Sequence, residues 1–299
     1  MSSIDVRQRV RFSSCGQNCV AWHYPGVNGA CVVMAPGGGV TKEPGTDRFA
    51  ARFHAEGFSV LAFDYRHLGE SEGEPRQVVR VGEQLADLAA AVDFAHRLPE
   101  VDPARVACWG FSLTGGHLFT IAARTPGVAA VIAQSPLTDN LVAAPNALRY
   151  ESPRVALTFP LIALADVIGG LFGRPPRLIP LAGPRGTVAM LNTPDSLDAD
   201  RALDPHGRYP QWRRLIAARS VLPLMIYRPG RMAARIRCPM QLIICADDET
   251  VLPGPARRAA DRVPDAETVT VPGGHYAPFL DQHDPVVAAE LDFLRRRLL

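Results

Sequence analysis

A serine, a carboxylate and a histidine each follow the end of an apolar run in this chain. Ser112 stands in Val106-Ala107-Cys108-Trp109-Gly110-Phe111-Ser112-Leu113-Thr114-Gly115-Gly116-His117. Asp248 follows Met240 to Cys245 in Ala246-Asp247-Asp248-Glu249-Thr250-Val251, and His275 follows Thr268 to Val271 in Pro272-Gly273-Gly274-His275-Tyr276. A serine hydroxyl is a poor nucleophile at neutral pH; it needs a base to take its proton and donors to hold the oxyanion that forms. Histidine suits the base because its pKa lies near neutrality. A carboxylate orients the ring and stabilises its charged form. The three residue types together point to acyl transfer through a serine ester.

Such chemistry needs elements that place the three groups at one edge. The run ending at Gly110 reads as a strand, and Leu113 to Arg124 can turn as a helix. A serine on the sharp turn between them exposes its hydroxyl at the positive end of the helix dipole. The small residue at 110 lets that strained turn close. The plainer alternative is a serine that only caps a helix.

Before the elbow, residues 6–12 and 19–24 read as short strands around the turn 13–18. Ala30 to Met34 is a more apolar third strand. It runs into Ala35-Pro36-Gly37-Gly38-Gly39, either an oxyanion loop or a flexible turn. Pro44 to Glu56 reads as a helix and Phe58 to Phe63 as a strand, followed by the Asp64-Tyr65-Arg66 run. Val81, Leu85, Leu88 and Val92 mark another helix, and Val128 to Ala133 another strand. This alternation predicts an α/β fold: a mostly parallel, doubly wound sheet of about eight strands, with ligands at the carboxyl ends of the strands.

From about Leu137 to Arg237 the alternation stops. Leu157, Leu161, Leu164, Ile168 and Leu171 keep helical spacing there. Pro160, Asp166 and Gly169-Gly170 make the stretch a poor membrane span. The expected organisation is a core of residues 1–136 and 238–299, interrupted by a helical cap at 137–237. Leu157, Leu161, Leu164 and Ile168 are expected to line a substrate pocket under that cap; core packing between cap and body is the competing account. The sheet resumes at Met240, and Val287, Leu291, Leu294 and Leu298 are spaced as the buried stripe of a last helix.

At 299 residues the chain can bury a large core, and 47% apolar with 21% charged residues is ordinary for a globular protein. The net charge of +2, from 32 basic and 30 acidic residues without a basic block, argues against nucleic acid as a partner. The opening Met1-Ser2-Ser3-Ile4-Asp5 lacks a signal-peptide pattern, so a cytoplasmic location is expected. Of the six cysteines, Cys31, Cys108 and Cys245 lie in strand-like runs and act as small hydrophobes. Cys15 and Cys19 have no second Cys/His pair to complete a zinc pattern, and no metal or cofactor is expected.

Taken together, the Pro36–Gly39 loop, the Asp64-Tyr65-Arg66…Gly69-Glu70-Ser71 run, the Gly110–Gly116 elbow, the Asp248-Glu249-Thr250-Val251 loop and Gly274-His275 resemble the α/β-hydrolase family over nearly the whole chain. Within it the chain looks like peptidase S15-like and dienelactone-hydrolase-like serine hydrolases, and like the polyketide transferase/thiohydrolase group. The resemblance implies Ser112 as nucleophile, His275 as base and Asp248 as acid, with Asp247 and Asp139 as rival acids. It implies the backbone N–H groups of Leu113 and Gly38 as oxyanion donors, with Gly37 as the neighbouring alternative. Three positions depart from the pattern: Thr114 replaces the second elbow glycine, Pro36 a histidine, and Cys245 a glycine. His117 is expected to be packed, not to act as a base.

The leading expectation is a hydrolase of a small-molecule carboxylic ester or thioester with an apolar part. Acyl transfer and peptidase or amidase activity would use the same residues. A hydrolase fold kept as a non-catalytic binding protein is the alternative outside enzymes. The sequence leaves monomer and homodimer both open.

Overall fold

The computed structural model describes residues 6–299. Eight strands form one sheet: β1 (Gln8–Ser14), β2 (Gln17–Tyr24), β3 (Cys31–Ala35), β4 (Ser59–Phe63), β5 (Val106–Phe111), β6 (Ala130–Gln134), and two further strands after an insert. The insert holds α4 (Asn140–Ala147), α5 (Pro153–Leu171), β7 (Leu178–Pro180), α6 (Ala199–Leu203), β8 (Leu215–Ala217) and α7 (Val221–Met225). β9 (Met240–Cys245) and β10 (Ala266–Val271) then complete the sheet, in the order β1-β2-β4-β3-β5-β6-β9-β10. β1 and β2 form an antiparallel hairpin and β2 meets β4 antiparallel; every later pairing in the sheet is parallel.

The hydrophobic pattern explains this layering. β3, β4, β5, β6 and β9 are buried along their whole length, as near-continuous apolar strands covered on both faces must be. α1 (Thr46–Ala55) and α9 (His283–Leu298) cover one face, where Phe49, Phe53, Val287 and Leu294 meet Met34 and Trp109. α2 (Val81–Ala95), α3 (Leu113–Arg124) and α8 (Pro253–Ala260) cover the other, where Leu88, Leu118 and Ala256 meet Val33 and Cys108.

Three elements differ from expectation. The turn between β1 and β2 is only Cys15-Gly16, both at positive φ (48° and 80°), so the strands run nearly to its ends. The insert is not wholly helical: β7 and β8 pair as a small antiparallel sheet. α5 is one continuous helix through Pro160 and Gly169-Gly170. Among the described residues it is the one helix long and apolar enough to cross a bilayer by length and composition. The insert also returns to the body before residue 238, because Ala233 and Ile236 are buried against the α3–α8 side of the sheet.

Buried charges fix the loops at the sheet's carboxyl edge. Lys42 Nζ donates to Asp64 Oδ2 at 2.9 Å and to Glu70 Oε2 at 2.6 Å, while Lys42 N–H and Glu70 N–H donate to the same Asp64 carboxylate. Lys42 and Asp64 are fully buried. A buried pair of this kind adds little net stability over an apolar packing, but breaking it leaves an uncompensated charge. Lys42→Met should therefore destabilise the protein by about 3–5 kcal/mol. Urea unfolding with an unchanged m-value is the measurement, and a loss below about 1 kcal/mol would remove the pair from its anchoring role.

Candidate active site

Ser112 sits between β5 and α3 with φ 55° and ψ −114°, a conformation that L-residues rarely adopt. Its N–H donates to Gln134 O (2.9 Å), and its carbonyl accepts from Gly116 N–H (3.0 Å) and Leu137 N–H (3.0 Å). The turn is so tight that a Cβ at Gly110 would lie 2.5 Å from the Thr114 methyl group. Ser112, His275 and Asp248 come together across 163 and 27 residues of sequence. Ser112 Oγ lies 3.0 Å from His275 Nε2, and His275 Nδ1 lies 2.7 Å from Asp248 Oδ2. The second Asp248 oxygen accepts the N–H groups of Thr250 and Val251 at 3.0 and 2.9 Å. With the carboxylate on Nδ1, that nitrogen carries the proton and Nε2 is left to accept from the serine.

The rival groups are committed elsewhere. Asp247 accepts from Gly273 N–H at 3.0 Å. Asp139 caps α4 and forms a bidentate pair with Arg228. His117 lies between Tyr227 Oη (2.8 Å) and Gln84 Oε1 (3.0 Å), and burial drops its pKa to about 3. Gly37 and Gly38 line the same cavity as Ser112 and Leu113. Neither the Gly38 nor the Leu113 N–H donates to another backbone carbonyl among the described residues, as expected for the first position of a helix and a loop facing it.

Thr114 resolves one departure from the family pattern. Its Oγ1 donates to Pro36 O and receives the Tyr65 hydroxyl at 2.9 Å. A glycine there could not join the elbow to the loop after β3. Cys245 packs its thiol 3.3 Å from Ser135 Oγ, and burial pushes its pKa up to about 12.

Asp195, from the insert, is a site residue that sequence reasoning missed. It accepts from Glu249 N–H (2.9 Å), Thr250 Oγ1 (2.8 Å) and His275 N–H (3.1 Å). A Cβ at Gly274 would lie 2.8 Å from Asp195 Cβ, so the glycine before the histidine permits this approach. Burial would raise the Asp195 pKa, but the His275 charge and the donated hydrogen bonds outweigh it and hold the group below the usual carboxylate range. Neither composition nor spacing marks Asp195 out; only its place directly after Pro194, in a proline-led turn, is visible.

A cavity of about 180 Å³ opens at Ser112. Its walls are mostly apolar: Phe111, Leu137, Ala143, Phe159, Ala163 and Val221 among them. The leucine stripe expected to line the cavity does not face it. Leu157, Leu161, Leu164 and Ile168 point to solvent, with exposures of 74, 66, 48 and 47%. The α5 face that lines the cavity carries Val155, Ala156, Phe159, Pro160 and Ala163. Asp166 continues that inner side; it is buried and receives Arg177 N–H and Arg219 N–H (both 2.8 Å) and the Arg219 guanidinium. Both stripes satisfy the helical period, and the pairing of the helix's one acidic side chain, Asp166, with Arg219 selects the inner one.

The fold and this geometry define a class. The chain belongs to the alpha/beta hydrolase family, whose model matches residues 32–289. The quorum-quenching protein AidA of Acinetobacter baumannii (strain MDR-ZJ06) is 37% identical over 292 residues, covering 96% of this chain and 94% of that protein. The polyketide transferase ATR5 of Stachybotrys chlorohalonatus (strain IBT 40285) is 28% identical over 263 residues, covering 87% and 86%. Among solved structures, the alpha/beta hydrolase GrgF from Penicillium sp. sh18 superposes with a TM-score of 0.82 at 22% identity, over 98% of this chain and 99% of that one.

The electrostatics of the pair are directly measurable. Burial alone would lower the His275 pKa; the Asp248 carboxylate, with Asp195 behind it, reverses this and raises it above the ordinary 6.5. In Asp248→Asn the opposing charge is gone and burial should prevail, so the pKa should fall below 6.5. Asp195→Asn should lower it by less. Imidazole titration by NMR reads both, and a His275 pKa unchanged in Asp248→Asn would contradict the assigned coupling.

Proposed function

We propose that the chain is a serine hydrolase of a carboxylic ester or thioester with an apolar acyl part, acting through an acyl-enzyme on Ser112. The observation that carries this reading is the hydrogen-bonded chain Ser112–His275–Asp248 opening into an apolar cavity. His275 Nε2 takes the Ser112 proton as Oγ attacks the carbonyl carbon. The N–H groups of Leu113 and Gly38 receive the developing oxyanion. The imidazolium then protonates the leaving alcohol or thiol, and water activated by the same nitrogen releases the acid. Asp248 holds the ring and its charge throughout. Residues 137–228 act as a cap that closes over the acyl group. The relative named for quorum quenching supports including quorum-sensing signals in the substrate panel; those named thiohydrolase support thioesters.

Ser112→Ala should fold normally, resist fluorophosphonate labelling and lose about 10⁴-fold or more in kcat. Near-full esterase activity in that variant would remove Ser112 from the mechanism. The working base is neutral His275, so a raised pKa places the acid limb of kcat/KM above pH 6.5, with activity lost as pH falls through it.

The cavity makes a second demand. kcat/KM for p-nitrophenyl esters should rise with acyl length by up to about fourfold per methylene, equivalent to about 0.8 kcal/mol, until the cavity fills. Ala163→Leu should shift the preferred chain shorter, whereas Leu161→Ala, on the solvent side, should leave the profile unchanged. A flat profile from acetyl to octanoyl would exclude an apolar acyl site and shift weight to a small polar ester or a peptide.

A further inference from the structure

The outer face of the insert is unusual for a water-exposed surface. Leu171 and Phe172 are 81 and 79% exposed, continuing the stripe of Leu157, Leu161, Leu164 and Ile168. Among the described residues, eleven of the fifteen exposed large apolar side chains belong to segments 141–172 and 225–226. α5 and α4 both pack against α7, so these segments form one surface. Leu148 and Met225 are exposed and also line the cavity, so the apolar face runs into the rim of the site. So many large apolar side chains exposed together on one face mark an interaction surface.

Charge indicates what covers it. Residues 137–228, before the segment that packs back on α3 and α8, contain eleven arginines and seven acidic residues, whereas the rest of the chain carries twenty-one basic and twenty-three acidic ones. The insert is thus net positive on a body that is slightly net negative. Arg154 begins the Leu157/Leu161 stripe one helical turn earlier, Arg174 and Arg177 follow its end, and Arg149 ends the neighbouring segment. All four are exposed, and none forms an ion pair among the described residues. Apolar side chains bracketed by unpaired arginines complement a surface with an apolar interior and an anionic skin. A second copy fits less well, because a two-fold contact would press like-charged arginines together.

We infer that the outer face of α4, α5 and α7 docks on an anionic phospholipid bilayer, with α5 lying in the headgroup region and the cavity rim turned toward the lipid. The helix lies on the membrane and does not cross it. Its inner side carries the cavity wall and the Asp166–Arg219 pair, which would have to be torn out for α5 to insert. This binding is independent of the chemistry proposed for Ser112. If both hold, an acyl substrate dissolved in the bilayer reaches Ser112 without crossing water.

The test is sedimentation of the full chain with sucrose-loaded vesicles, without substrate. Binding is expected to mixed phosphatidylcholine–phosphatidylglycerol vesicles, to weaken as salt rises, and to be absent from phosphatidylcholine alone. Arg154→Gln and Arg174→Gln should each weaken binding about fivefold. The double variant Leu157→Glu, Leu161→Glu should abolish it while retaining the wild-type Tm and fluorophosphonate labelling of Ser112. No binding to anionic vesicles, or binding indifferent to the double variant, would overturn the inference. So would a dimer in sedimentation equilibrium that the same double variant dissociates, because the face would then join two copies.

Discussion

A hydroxyl can stand at the edge of a fully buried parallel sheet only if the chain turns away immediately beneath it. Ser112 meets that requirement with φ 55° and ψ −114°, at a cost of about 1–3 kcal/mol. A residue in that state persists because its surroundings over-determine it. Both of its backbone polar groups are bonded, to Gln134, Gly116 and Leu137, and the missing side chain at Gly110 leaves room for Thr114. Thr114 then carries the constraint outward, since its hydroxyl joins the elbow to the Pro36 carbonyl. The glycine loop that faces Ser112 is held on its far side by the buried Lys42–Asp64 pair. The strained turn and the loop opposite it are therefore tied into one unit, as the oxyanion donors proposed at Leu113 and Gly38 would require.

The histidine is placed by charge as much as by packing. Phe111 supports its ring, with centroids 4.8 Å apart, in surroundings that by themselves favour the neutral form. Two carboxylates oppose that tendency from different parts of the chain. Asp248 contacts the ring directly; Asp195 binds the backbone of residues 249 and 275 and the side chain of Thr250. Asp195 thus ties the insert to the two loops that carry Asp248 and His275. The arrangement of those loops depends on how the insert is seated.

Much of this was legible in the sequence because parallel sheets are restrictive. Apolar runs buried on both faces identify the strands, and chemistry-bearing residues just beyond them must gather at one edge. That logic brings Ser112, the Asp247–Asp248 loop and His275 to one edge without any knowledge of distance; the preference for Asp248 over Asp247 and Asp139 came from the family resemblance. It fails in the insert. β7 and β8 are three residues each, too short to show a period. Asp195 is one aspartate among several in an irregular segment, and only the folded contact with Gly274 distinguishes it. The face of α5 was misread because periodicity selects an inner face only when the opposite face is polar. In α5 nearly every side is apolar, so the period is satisfied twice.

The orientation α5 adopts has a physical logic of its own. Its large side chains point outward, while Ala156, Ala163 and Val155 point in with Phe159. Turning the leucine stripe inward would bury more apolar surface but would fill the space above Ser112. The small inner residues are what leave that space open. The stability forgone by exposing the leucines is the counterpart of keeping a cavity, and Asp166 locks the choice by requiring Arg219 on the inner side. A single buried ion pair, of little value for stability by itself, decides which face of an almost uniformly apolar helix meets the site and which meets the surroundings.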